Sequence, residues 1–162
     1  MDPTVHMTGV LDPRSAWKAE HCSIARSLEV IGARSTYLIL REAFYGTTRF
    51  ADFAERAGIS EPVTATRLRD LVRDGLLERE DYKDAGERTR QSYRLTEKGA
   101  GLLPVLAALM HWGDRWLSDG TPVELRHRDC GDRVELQLRC SAGHRVAADQ
   151  LELAYPGERR VS

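Results

Sequence analysis

Between Phe50 and Leu76 apolar residues recur at helical spacing in two runs, and one glycine separates them. Phe50, Phe53, Ala54 and Ala57 form the first run, which Gly58 stops. Ile59 plugs the corner. Ser60 is placed to cap a second helix, because its hydroxyl can accept an orphan backbone N–H. Pro62 falls in the first turn, where its missing donor costs little. Leu68, Leu71, Val72 and Leu76 then give one inward stripe, leaving Glu61, Pro62, Thr64, Ala65, Thr66 and Arg67 outward. That face is small and rich in hydrogen-bonding groups. A helix-turn-helix whose second helix enters a DNA major groove needs such a face near its start. An ordinary helical hairpin fits the same pattern, so the residues beyond Gly75 must decide.

There the pattern turns from helix to strand. Residues 76–82 suit an extended run, 83–88 are turn-rich and charged, and 91–95 alternate polar and apolar as a half-buried strand does. Two strands joined by a charged loop directly after a recognition-type helix make a wing. Lys83, Arg88 and Arg90 near its tip are candidates for the phosphate backbone or an adjacent minor groove. A solvated hairpin is the plain alternative; the preceding helix pair favours DNA contact.

The flanking segments supply the rest of the body. Residues 1–14 hold two prolines, a glycine and no periodicity, the composition of a mobile tail. Ile24, Leu28 and Ile31 mark a first helix ended by Gly32, and residues 35–45 are apolar on most sides, as a buried strut is. Thr96 caps a long helix reaching about Leu117, with Pro104 as a kink or break. Its apolar residues fall on two stripes, one carrying Leu106, Leu109, Trp112 and Trp116, the other Leu103, Met110 and Leu117. One stripe packs on its own domain. The second has something left to bury, and the simplest cover is the same helix of a second copy in a two-fold dimer. The C-terminal segment is the other candidate cover.

The 162 residues suffice for one domain with an appendage. No apolar run approaches the ~20 residues needed to cross a bilayer, and no signal-peptide pattern stands at the start, so a cytoplasmic protein is expected. A net charge of −1 neither supports nor excludes nucleic-acid binding, which depends on charge on one face. Lys18, Lys83 and Lys98 are the lysines, so arginine supplies most of the 24 cations. Three widely spaced cysteines do not form a disulfide framework. No phosphate loop, nucleophile elbow or triad-like context points to an enzyme.

In order and spacing, CSIARSLEVIGARSTYLILREAFYGTTRFADF, RLRDLVRDGLLERE, YRLTEKG and LLPVL…WGDRW resemble the HxlR-type transcriptional regulators, bacterial winged-helix proteins, over Cys22 to Trp116. The resemblance implies a homodimer on an inverted-repeat operator in double-stranded DNA, with the first and last core helices at the dimer interface. Leu28 thereby joins Leu106, Leu109, Trp112 and Trp116 as interface candidates. Relatives often carry a basic residue where this chain has Glu61-Pro62, so sequence preference does not transfer. Ser60, Thr64, Thr66 and Arg67 are the candidate helix contacts, with Arg suited to guanine and Thr to either a hydrogen bond or a thymine methyl. The wing, with residues 86–90 in place of the proline pair of many relatives, is longer than the common form.

Cys22 matches a cysteine that some relatives use as a thiol sensor, and a place at a helix start with His21 and Lys18 near would favour the thiolate. A small apolar residue that packs well is the favoured reading of the position. From Thr121 the character changes: residues 123–128 and 134–140 read as short strands around a turn. His127, Cys130, Cys140 and His144 have the spacing of two zinc knuckles, although relatives with a similar tail carry a second cysteine pair near Cys140. An eroded, metal-free hairpin is the favoured reading, with no cofactor.

The expected fold is mainly α with a small β-wing. A flexible tail (1–14) precedes a winged helix-turn-helix DNA-binding and dimerisation domain (15–119), and a short C-terminal β-rich appendage (120–162) completes the chain. The expected function is a dimeric, sequence-specific DNA-binding regulator, more often a repressor. The alternative is a winged helix kept as a protein-interaction module.

Overall fold

The computed structural model describes residues 4–8, 22–82, 90–117, 119 and 123–154. They divide into two compact units: Ser27–Arg133, and the residues up to Arg26 together with those from Val134.

In the larger unit, helices α1 (Ser23–Ile31, which begins in the smaller unit), α2 (Arg34–Phe44), α3 (Phe50–Ala57) and α4 (Glu61–Arg73) precede a hairpin of β2 (Leu77–Tyr82) and β3 (Arg90–Leu95). Helices α5 (Glu97–Ala100) and α6 (Leu103–Trp116) come next. Helix α2 is the strut expected from its composition, packing on α3, α4, β3 and α6. Its Ile39 and Leu40 are fully buried with Phe53, Leu68, Leu71 and Leu77, and the Phe53 ring meets Tyr93 of β3 edge-on at 6.2 Å. The fold therefore closes by laying α3, α4 and the hairpin around one helix.

The turn between α3 and α4 depends on Gly58, whose φ of 63° is a left-handed conformation that a side chain would strain. Ser60 stands at the N-cap of α4 in extended conformation, but its hydroxyl makes no capping bond; its carbonyl instead accepts from Thr64 N at 2.9 Å. Strands β2 and β3 pair antiparallel, Leu77 opposite Leu95 and Arg79 opposite Tyr93. Arg49, just before α3, bridges to Ser92, and its guanidinium lies 5.2 Å from the Tyr82 ring centre.

The long helix expected after Thr96 is two. Thr96 Oγ1 accepts from Gly99 N at 3.0 Å and donates to Gly75 O at 2.7 Å, so the cap also ties α5 to the turn that follows α4. Gly101 and Leu102 interrupt the chain before α6 restarts with Pro104 in its first turn. Gly99 is required by contact: a Cβ there would collide with the Leu76 carbonyl.

A buried polar cluster links α2 to α3. The Glu42 carboxylate receives Arg41 Nε at 2.9 Å, Arg41 Nη2 at 2.6 Å and, on its other oxygen, Thr47 Oγ1 at 3.4 Å. Arg56 Nη1 donates to Thr47 Oγ1 at 3.1 Å, and Arg41 Nη2 also donates to Arg56 O at 3.2 Å. Burying a carboxyl group without such partners is costly. Here they fasten the end of α3 to α2.

The two terminal segments depart from expectation in two ways. Part of the tail is ordered: β1 (His6–Met7) pairs parallel with β4 (Glu152–Leu153). Conversely, no continuous strand forms over 123–128 or 134–140. Isolated bridges Arg126–Arg133 and Arg139–Arg145 stand there instead. The alternating Leu136 and Leu138 stay exposed, so no buried face holds a longer register in place. No helix among the described residues is long and apolar enough to cross a membrane.

Candidate nucleic-acid interface

Helix α4 buries Thr64, Leu68 and Leu71. These positions share one face at helical spacing, so Pro62, Thr66, Arg69 and Arg73 must share the opposite one, and all four are exposed. Thr66 keeps its hydroxyl on the surface, donating to Pro62 O at 2.9 Å. This outer face holds the polar groups a major groove would meet.

Two expected readers of bases sit elsewhere. Thr64 has no exposed surface, and its Oγ1 donates to Ser60 O at 3.1 Å, so it cannot present a hydroxyl to a base edge. Arg67 lies on the flank of α4, half-buried, with Nε on Ser35 Oγ at 3.1 Å and Nη1 on Asp70 Oδ2 at 3.2 Å. It clamps α4 to α2. Ser60 and Arg90 are exposed, at the start of α4 and of β3 respectively, while Lys83 and Arg88 lie outside the described residues.

The residues that composition alone did not single out are Arg69, Arg73 and Arg79. They line a groove of about 410 Å³ between α4 and the wing, floored by Phe50, Ala65, Val72 and Tyr93. Among the described residues, Arg69 and Arg79 have no hydrogen-bond or ion-pair partner. Arg73 is shared between Asp70 at 2.9 Å and Asp74 at 2.9 Å. Its hydrogen bond to Asp74 and the charge of that carboxylate raise the guanidinium's pKa, and the same bond lowers that of Asp74. The spacing of Arg69 and Arg73 was a signal present in the sequence, visible once the phase of α4 is fixed, whereas the place of Arg79 follows from the strand register that sets it opposite Tyr93.

Leu109, Trp112 and Trp116 on α6 and Leu28 on α1 are exposed, whereas Leu106 is half-buried and packs in part against the core of its own chain. Cys22 is half-buried immediately before α1, its carbonyl accepting from Arg26 N at 3.0 Å. In the larger unit His127 Nδ1 is 3.2 Å from Cys130 Sγ, and in the smaller Cys140 Sγ is 3.6 Å from His144 Nδ1. Among the described residues no three His, Cys, Asp or Glu side chains gather as a metal site would require.

A two-helix reader, a strut and a two-stranded wing define a winged helix-turn-helix protein. The chain belongs to the HxlR-like helix-turn-helix family, whose model matches residues 30–121. It is a transcriptional regulator with a helix-turn-helix DNA-binding fold, and its relatives are regulators rather than enzymes. An HTH-type transcriptional regulator of Mycobacterium tuberculosis is 43% identical over 129 residues, 78% of this chain and 80% of that protein. Among solved structures, the candidate transcription factor PA1607 is 40% identical with a TM-score of 0.70, over 81% of this chain and 92% of that one. The oxidized form of the redox regulator HypR is 28% identical with a TM-score of 0.53, over 58% of this chain and 96% of that one.

Proposed function

We propose that the chain is a homodimeric repressor occupying an inverted-repeat operator. The α4 helices of two copies enter successive major grooves, roughly 34–36 Å apart. Pro62 and Thr66 meet base edges, and Arg69 and Arg79 grip the phosphates that run between the helix and the wing. Arg90 extends that contact along the wing. The two copies join through the exposed faces of α1 and α6, where Leu28, Leu109, Trp112 and Trp116 are left without cover among the described residues.

The observation that carries this reading is the outer face of α4, polar, exposed and flanked by two arginines with no partner among the described residues. The test is a mobility shift with DNA from upstream of the chain's own gene, over a range of salt, with sedimentation of the free and bound protein. A repressor of this kind binds as two chains per duplex, and its affinity falls steeply with salt. Salt-independent binding, or one chain per site, refutes it.

A further inference from the structure

The larger unit contains a second cavity that DNA recognition does not use. It measures about 310 Å³ and lies between α2 and α6, with Leu125 as a further wall. Cavities of this size hold small molecules. Tyr37, Phe44 and Tyr45 line the α2 side, and Leu103, Leu109 and Met110 the α6 side, Leu109 belonging also to the dimer face proposed above. Arg41 is the one charged residue among the described lining residues. Its Nε and Nη2 are engaged by Glu42 and Arg56 O, but Nη1 has no partner among the described residues.

We propose that this cavity is an effector site for a small aromatic carboxylate. The aromatic body lies among the Tyr and Phe rings and the aliphatic side chains of α6, where rings pack edge-on or offset. The carboxylate accepts from the free edge of Arg41. A neutral apolar ligand would dry that edge without satisfying it, whereas an anion satisfies it with charge-assisted bonds. The chemistry of the walls thus selects both ends of the ligand. An apolar helix face from a second copy would leave the same edge of Arg41 without an acceptor.

The same arginine gives the site a route to the reader. Arg41 Nη2 holds the carbonyl of Arg56, in the last turn of α3 and two residues before Gly58, where the chain turns into α4. A carboxylate drawing on Arg41 weakens that hold, and Glu42, Thr47 and Arg56 shift with it. Ligand and DNA then change each other's affinity by the same factor. This coupling rests on the repressor reading; occupation of the cavity does not.

The test is calorimetric titration of the full chain, without DNA, with 2-naphthoate and with its neutral counterpart 2-naphthamide. Wild type should bind the naphthoate saturably at one per chain. Arg41→Gln should weaken it by about tenfold or more, as loss of a charge-assisted pair does, and change naphthamide binding far less. Met110→Trp should fill the cavity and abolish both; if that variant loses its folded circular dichroism, Leu103→Trp at the exposed rim replaces it. Absence of saturable binding to wild type overturns the site. So does equal loss of both ligands in Arg41→Gln, unchanged binding in the filled variant, or binding to dissociated chains alone, which would mean a second copy occupies the cavity. Repeating the mobility shift with 2-naphthoate tests the coupling separately: unchanged DNA affinity with a filled site overturns the route through Arg56 and leaves the site standing. Failure to bind any DNA sinks the repressor reading and leaves the calorimetry intact.

Discussion

Arg67 and Arg69 are two residues apart on one helix, yet the structure gives them different work, and replacing each with alanine separates the two. Arg67 makes two hydrogen bonds within the fold, to Ser35 and Asp70, at a side chain 34% exposed. Hydrogen bonds to charged groups contribute about 1.5–3 kcal/mol when buried, and partial exposure reduces this, so Arg67→Ala should cost about 1 kcal/mol. In a domain of this size that lowers Tm by roughly 4 °C. Arg69 makes no bond to the described residues of the fold, so Arg69→Ala should leave Tm unchanged. Its effect should fall on DNA. Each phosphate contact contributes about 0.9 to the slope of log affinity against log salt, so losing one in each of two chains lowers the slope by about 1.8. Between about 50 and 200 mM salt, roughly a fourfold range, wild type should then lose about 12-fold more affinity than the variant does. Thermal melts and mobility shifts at several salt concentrations read both quantities. The assignment is refuted if Arg69→Ala keeps the wild-type slope, or if Arg67→Ala lowers the slope at unchanged Tm.

Four further outcomes rest on particular contacts. Thr64→Val keeps the shape of a buried residue and removes one hydrogen bond, so it should cost about 1 kcal/mol in urea denaturation and leave operator preference unaltered in a binding selection. Gly99→Ala forces a methyl group into the Leu76 carbonyl and should destabilise by about 1–3 kcal/mol, seen as a lowered urea midpoint at unchanged m. Trp112→Glu, at a ring 56% exposed, should convert a dimer to monomer in sedimentation velocity without unfolding the chain. Asp74 has its pKa lowered by Arg73, so the stability it contributes is present above the ordinary carboxylate value near 3.8 and fades as pH falls through the lower folded value. Wild type and Asp74→Asn should therefore differ at neutral pH and converge in acid.

The helices were legible because burial acts on them with one period. Ile39 and Leu40 in a strut apolar on most sides, and Leu68 and Leu71 on one stripe, declare their inner faces without any knowledge of partners. The break at Gly101 and Leu102 was legible in kind but not in place, since Pro104 tolerates either a kink or a first turn. Beyond 123 the same reasoning fails for a physical reason. Alternation predicts a strand only where one face is dry, and Leu136 and Leu138 alternate on a segment that buries neither face. The pairing of His6–Met7 with Glu152–Leu153 joins residues nearly the whole chain apart, two on each side, and no local period can announce it.

Thr64 shows how a reading of α4 can go wrong while every residue is correctly placed on a helix. Helical spacing back from Leu68 by one turn lands on Thr64 and puts it inward; its polarity argues outward. The structure obeys the spacing, because a threonine in a helix can satisfy its own hydroxyl on the carbonyl four residues earlier, here Ser60 O at 3.1 Å, and needs no water. Thr66 makes the same kind of bond to Pro62 O on the exposed side. Side-chain polarity therefore says nothing about which way a helical threonine faces, whereas a leucine one turn away does. Applied to α4, phase taken from Leu68 and Leu71 alone selects Pro62, Thr66, Arg69 and Arg73 as the face that can meet DNA. It also assigns Arg67 to the flank, where Ser35 and Asp70 hold it. The reader's surface is set by its apolar anchors.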